Sequence, residues 1–487
     1  TESRNGARKQ SADKVYIWNI SKNYGKIYLL KNTVIFSIGN FGTKIISFFL
    51  VPLYTNILTT REYGTVDLIY TIGMVLVPLL TLNIGESIMR FALDKDADCD
   101  KIMSTGITIL IFGAIIGLLI LPIANLFESV SNYSIYIYLY TLTLAFSQIF
   151  LCYLRGKEFL LKYSIGNIIQ SLTIAIFNII FLIGMKKGIE GYLMAYILAN
   201  VCTGLYGFWA GKVNLVIKKY SIDIELSKNM IKYSVVLIPN SFMWWIMNSS
   251  DRMMVSAMIS VTANGVYAVA YKIPTLLSTI TTIFNQAWSY SAIREDESED
   301  KEEYNNRVYD NLVTIVIVVA TGLLMIMKPF LSVYVGKEYY AAWHYVPYLI
   351  VGFVFMTLGS FIATSYTVHK DSMGFLISGT VGAIINLILN FILIPMMGVS
   401  GAAFATCISY FGVFAYRIKD TQKYIKLRVF KRKQICGYAL LILSAMTCYL
   451  DNCIGQTLLV IEFICIILLN KEFVKDMLKI IFKIKMN

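Results

Sequence analysis

Residues 102–124 read IMSTGITILIFGAIIGLLILPIA, 23 residues without a charge. A helix rises about 1.5 Å per residue, so a stretch of this length passes through the roughly 30 Å hydrocarbon layer of a bilayer. Outward from it the pattern repeats in both directions. Apolar segments fall at 31–58, 64–91, 102–124, 134–154, 160–183, 189–212, 231–258, 263–293, 306–328, 341–367, 373–395, 400–418, 434–450 and 454–470. The 487-residue chain is 57% hydrophobic and 15% charged, with a mean hydropathy of +0.64. A soluble domain carries about 25% charge, and a transmembrane barrel shows short alternating segments instead. The expected class is an all-α polytopic membrane protein of about 14 helices.

The net charge of +13 is not spread evenly. If the N-terminus is cytoplasmic, 35 of the 43 Lys and Arg residues fall on loops of that side, five on the opposite side and three inside spans. This is the positive-inside asymmetry. It places both termini in the cytoplasm and pairs the loop lysines with acidic lipid rather than nucleic acid. The eight cysteines and two histidines form no metal-spaced motif, so no metal or cofactor is expected. Residues 1–14 are polar, show no signal peptide and are set aside as a processed end. The tail, with Lys471, Lys475, Lys479 and Lys483 four residues apart, reads as a basic amphipathic anchor.

The chain echoes itself. Gly188-Ile189-Glu190-Gly191-Tyr192-Leu193-Met194-Ala195 returns as Gly398-Val399-Ser400-Gly401-Ala402-Ala403-Phe404-Ala405, each after a span containing an asparagine, Asn178 or Asn390. Gly64, Val66 and Tyr70 return more weakly as Gly265, Tyr267 and Tyr271, and Pro122 and Pro329 end matching spans. Six spans per copy keep both copies in one orientation, which predicts two parallel six-helix lobes with a cavity between them. The expected division is a cytoplasmic segment 1–30, an N-lobe 31–213, a linker 214–230, a C-lobe 231–420, two further helices in 421–470 and the tail 471–487.

Several short motifs keep the order and spacing of a known group. They are Pro52-Leu53-Tyr54-Thr55 with Glu62-Tyr63-Gly64, Arg90-Phe91, Asp251-Arg252 followed by Gly265-Val266-Tyr267, and the Gly398–Ala403 turn. Over residues 30–470 the chain resembles the polysaccharide (oligosaccharide-lipid) flippases of the multidrug/oligosaccharidyl-lipid/polysaccharide exporter superfamily. The resemblance implies a bacterial inner-membrane protein. It would move undecaprenyl-diphosphate-linked sugar units outward by alternating access, for O-antigen, capsule or exopolysaccharide synthesis. It also implies H+ or Na+ as candidate coupling ions and other polysaccharide-assembly membrane proteins as candidate partners.

Charges inside the spans carry the functional reading, because each is costly there unless it faces water or a partner. Lys44, Arg252 and Lys272 are the candidate cavity cations for a diphosphate. Asp67, Glu86, Arg90 and Asp251 are candidates for gating or ion coupling. Glu86 and Arg90, four apart, are expected to pair with each other. Asp251 and Arg252 are adjacent, so each must find a partner elsewhere. Pro274, just after Lys272, is expected to interrupt its helix. Asparagines and Trp244, Trp245 and Trp288 are read mainly as packing. A lipid II flippase makes the same demands as a polysaccharide flippase. An ion-coupled drug exporter would favour unmatched carboxylates. A membrane polymerase or acyltransferase is disfavoured by short outer loops and the lack of a catalytic constellation.

Overall fold

The computed structural model describes residues 42–94, 96–124, 130–295, 300–473, 475 and 479, and every regular element among them is helical. The N-terminal segment, most of the basic tail and the acidic core of the 294–306 loop lie outside the described residues. In chain order the helices are α1 (42–57), α2 (Thr60–Leu80), α3 (Ile84–Ala92), α4 (Cys99–Ala124), α5 (Ser134–Gly156), α6 (Leu160–Asn178), α7 (Gly188–Ala210), α8 (Val213–Lys218) and α9 (Ile224–Trp245). The second half continues with α10 (Asp251–Met258), α11 (Val261–Ala270), α12 (Pro274–Glu295), α13 (Lys301–Tyr334), α14 (Val346–Val368), α15 (Ser372–Met397), α16 (Val399–Asp420), α17 (Arg432–Thr447) and α18 (Cys453–Leu469). Each apolar segment marked from the sequence is helical over most of its described residues. Nine helical runs there are long and apolar enough to cross a membrane by themselves, so the count of fourteen is not reached by that criterion.

Most helix packing lies within each half, with α2 and α11 packing across them. α5 and α6 pack on α7, and α3 on α5; in the second half α14 and α15 pack on α16, and α12 on α14. α17 and α18 dock on α13 as an addition to the second lobe. The echoed turns have a physical basis. Gly188 and Gly398 both hold left-handed backbone, at φ +53° and +62°, which glycine adopts without a Cβ penalty.

Three spans are interrupted. α2 and α3 are separated at residues 81–83, where Leu82 and Asn83 are left-handed. α11 and α12 are separated at residues 271–273, immediately before Pro274, as the proline predicts. Between α9 and α10 lies a wide π turn, Ile246–Ser250, which no sequence signal announced. Such turns commonly mark functional positions.

The lobes meet through their duplicated segments. At the end poor in basic residues, a Cβ on Gly64 would lie 2.0 Å from the Val261 carbonyl oxygen, and one on Gly265 would lie 1.9 Å from that of Thr60. Residues 60 and 64 thus stand to 261 and 265 as partners at an offset of 201. The contact is reciprocal, as at the two-fold axis of a symmetric dimer. The N-caps agree: Thr59 accepts from the Glu62 amide and Ser260 from that of Ala263. Beside this crossing the Tyr334 hydroxyl donates to the Phe48 carbonyl (2.6 Å), and that of Tyr339 to the Leu58 carbonyl (2.8 Å).

Candidate functional site

Below the glycine crossing, α2 and the broken seventh and eighth spans bring the interior charges together. Arg252 lies on α10 just past the π turn and reaches across to the first lobe. Its Nη1 is 2.8 Å from Asp67 Oδ1, with the two side chains 14% and 9% exposed. Its Nη2 donates to the Asn248 carbonyl and to Ser249 Oγ, both at 3.0 Å, and the guanidinium stands 5.4 Å from the Tyr271 ring centre. The other oxygen of Asp67 accepts from Asn264 Nδ2 at 3.3 Å. The Asp67–Arg252 pair therefore bolts the lobes together one turn below Gly64.

Lys272 sits in the break between α11 and α12, within electrostatic reach of Asp67, Arg252 and Lys44. The interruption lets its side chain leave the helical register, and its carbonyl accepts from Thr275 Oγ1 at 2.6 Å. Lys44 is exposed on α1. Neither lysine has a carboxylate partner among the described residues. Asp67, the carboxylate that meets Arg252 across the halves, is thus already committed, and among the described residues Lys272 has no ion-pair partner.

Asp251 turns the other way, into the second lobe, and is fully buried. Its Oδ2 accepts from the hydroxyls of Tyr267 (2.8 Å), Tyr271 and Thr406 (3.1 Å). Asn386 and Asn390 continue this buried polar knot: Asn386 donates toward Thr406 and Ser409, and Asn390 donates to Asn386. A buried carboxylate is expensive unless several donors hold it. The adjacency of Asp251 and Arg252 thus resolves as expected, with side-chain partners on opposite sides.

The expected Glu86–Arg90 pair does not form. Arg90 pairs with Asp94 at 2.6 Å, both side chains half-exposed at the end of α3. Glu86 instead occupies the first turn of that helix, where the backbone amides favour a carboxylate. Two further charges are buried: Arg417, near the end of α16, is 4% exposed and Glu462 on α18 is 6% exposed. Glu462 accepts from Thr447 Oγ1 at 2.8 Å. Among the described residues no group of three His, Cys, Asp or Glu side chains is placed to hold a metal.

Residues 29–290, more than half of the chain, match the family described as "Polysaccharide biosynthesis protein". The "Probable low-salt glycan biosynthesis flippase Agl15" of Haloferax volcanii is 25% identical over 236 residues, 46% of this chain and 48% of that protein. The chain thus matches about half the length of that curated relative. Among solved structures, a lipid II flippase MurJ in an inward closed conformation superposes with a TM-score of 0.62 at 15% identity, covering 91% of this chain and all of that one. An inward-facing multidrug resistance MATE family transporter of the MOP superfamily gives 0.62 at 13% identity, covering 88% and 99%. These two likenesses establish the fold.

Proposed function

Because the chain belongs to the polysaccharide biosynthesis protein family, in a multi-pass membrane fold, we propose that it flips lipid-diphosphate-linked oligosaccharide units across a bacterial cytoplasmic membrane by alternating access. Its basic face lies on the cytoplasm. The observation that carries this reading is Arg252 reaching across to Asp67, with Lys272 in the adjacent helix break unpaired by any carboxylate among the described residues; Lys44 is proposed as the third cation. A diphosphate group leaving water needs several cations, and a guanidinium fork suits its oxygens. The polyprenyl tail stays in lipid while the headgroup crosses, so no covalent step is required.

Arg252 has two partners in this cycle. With the outer face closed it is bound to Asp67. A diphosphate that arrives beside Lys272 competes for the same Nη1, loosening the bolt that holds the outer gate. Cargo binding and outward opening are then one exchange of partners, because a ligand shifts a conformational balance only through differential contacts. Asp251, held by three hydroxyls, is the carboxylate for a coupling H+ or Na+. It lies next in sequence to Arg252, so its occupancy is felt at the gate.

The test is flipping of a fluorescent undecaprenyl-diphosphate oligosaccharide in proteoliposomes, with lipid II and ethidium as alternative cargoes. Protein-dependent movement of the oligosaccharide lipid is expected, together with at least a tenfold loss in Lys272→Gln. Ethidium efflux without lipid flipping overturns the reading, and preferential movement of lipid II reassigns the cargo.

A further inference from the structure

Between α16 and α17 the chain is free of helix from Ile425 to Lys431. Burial alternates along this stretch. Ile425 and Val429 are buried and Leu427 is half-buried between them, whereas Lys426, Arg428 and Phe430 are exposed. Alternation with a period of two marks an extended strap laid along a surface. The strap is fastened to the start of α13. Asn306, itself buried, accepts from the Arg428 amide through Oδ1 at 2.7 Å and donates through Nδ2 to the Lys426 carbonyl at 3.2 Å. One side-chain amide thus holds both backbone groups that flank Leu427. One turn further along α13, Asp310 accepts from Lys431 Nζ and from Gln434 Nε2.

The outward side chains have no such partners. Lys423 is committed to Asp371 and Asp420, and Lys431 to Asp310. Lys426, Arg428, Arg432 and Lys433 are exposed and pair with no carboxylate among the described residues. Phe430 stands among them, 62% exposed. α17 begins at Arg432 and carries the apolar run 434–450 into the bilayer, which puts the strap at headgroup depth. There a phenyl ring enters the acyl boundary, while lysine and arginine keep their charges among the phosphates. A choline headgroup would set its own cation against four unpaired ones. An acidic headgroup brings only negative charge, so charge complementarity selects acidic lipid.

We propose that residues 425–433 form a binding surface for acidic phospholipid, with Lys426, Arg428, Arg432 and Lys433 on the headgroup and Phe430 wedged among the acyl chains. This goes beyond the positive-inside asymmetry, which requires only that basic charge lie at this end of the molecule. Here the charges are held in a fixed file by Asn306 and Asp310. The inference is independent of the cargo. The competing occupant is the chain's own acidic stretch just before α13, Glu295-Asp296-Glu297-Ser298-Glu299-Asp300.

Native mass spectrometry of the full chain, presented with phosphatidylglycerol and phosphatidylcholine of equal chain length, gives the ratio of their dissociation constants. Phosphatidylglycerol is expected to bind at least tenfold more tightly. Lys426→Gln with Arg428→Gln and Arg432→Gln should bring the two lipids within twofold of each other. Lys218→Gln with Lys219→Gln and Lys228→Gln removes the same charge from other exposed positions at this end, and should retain at least half of the wild-type preference. Asn306→Leu keeps every charge but releases the strap, and should lower the preference at least threefold. The two triple variants change only exposed side chains, so they decide the matter if Asn306→Leu does not fold. Equal binding of the two lipids by the wild type overturns the proposal. An equal loss in both triple variants also overturns it, because the preference is then diffuse surface charge. An unchanged preference in a folded Asn306→Leu rejects the fixed file. A preference that appears only after Glu297→Gln, Glu299→Gln and Asp300→Asn puts the acidic stretch on the strap, and the proposal fails.

Discussion

Replacing Asp67 by asparagine tests whether the Arg252 bridge is the outer bolt. At 2.8 Å, with the side chains 9% and 14% exposed, the pair is in the buried regime. There, removing one partner costs about 3–5 kcal/mol because the other charge is stranded. Asp67 also accepts from Asn264 through its second oxygen. In asparagine one of the two oxygens becomes an NH2 donor, so either Arg252 Nη1 or Asn264 Nδ2 is left facing another donor. Arg252 keeps its bonds to Asn248 and Ser249, which puts the loss at the low end, about 3 kcal/mol. In the outward-open form the arginine faces water and this penalty vanishes, so the closed form is the one destabilised. At about 1.4 kcal/mol per factor of ten, the open population rises roughly a hundredfold. The assay places a reporter at Tyr70, one turn below Asp67 and 39% exposed, as Tyr70→Cys in a cysteine-free background. Labelling by a membrane-impermeant maleimide from the outer side of right-side-out vesicles should accelerate on the order of a hundredfold in Asp67→Asn. The double change Asp67→Asn with Arg252→Gln removes the stranded charge and should recover most of the closed population. A labelling rate within twofold of the parent, in a protein that remains monodisperse, refutes the bolt.

Gly64→Ala and Gly265→Ala each place a methyl about 2 Å from a backbone oxygen of the other lobe, so each should open the same reporter to labelling. Gly379→Ala, which meets nothing within 4 Å, should leave gating unchanged and raise thermal stability by roughly 0.5–1 kcal/mol. Asp251→Asn removes a carboxylate that accepts three hydroxyls; flipping should lose its response to an imposed H+ or Na+ gradient, and an undiminished response excludes Asp251 as the coupling group. At the loop between α14 and α15, the Gly374 amide, the Tyr424 hydroxyl and Lys423 hold the Asp371 carboxyl at about 2. A depressed acid stabilises above its unfolded value, about 3.9, and loses that contribution as pH falls through 2. The difference in melting temperature between wild type and Asp371→Asn should therefore be constant from pH 5 to 8 and shrink only below about pH 4.

Much of this arrangement was legible because membrane energetics leave a coarse trace. Uncharged runs, the alternation of basic loops and the Gly188–Gly398 echo are each enforced locally: by backbone hydrogen bonding in lipid, by surface charge and by left-handed turns. The break at Lys272 was legible for the same reason, since proline acts on its own helix. Partner choice was not legible in this way. Glu86 and Arg90 have ideal spacing, yet Arg90 turns to Asp94, because helix ends and water compete with an i,i+4 pair worth only a few tenths of a kcal/mol. Arg417 looked like one more basic residue at a loop margin. Its burial comes from Gly359 and Ser378 on two other helices, distant in sequence.

The weaker echo gains most from the structure. Gly64 and Gly265 looked like a faint duplication signal, yet they are the two faces of one contact. A duplicated helix that lies on the pseudo-two-fold axis must pack against its own copy, so both copies need a small residue at the same depth. The same geometry explains why the bolt is placed nearby. Near the axis the lobes touch closely enough for one side chain to cross, so a single pair, Asp67 and Arg252, can report on both. Away from the axis the halves differ: the polar knot at Asp251 and the buried Arg417 both belong to the second lobe. On the proposed reading the symmetric contact forms the gate, and Asp251 in the second lobe is the coupling group.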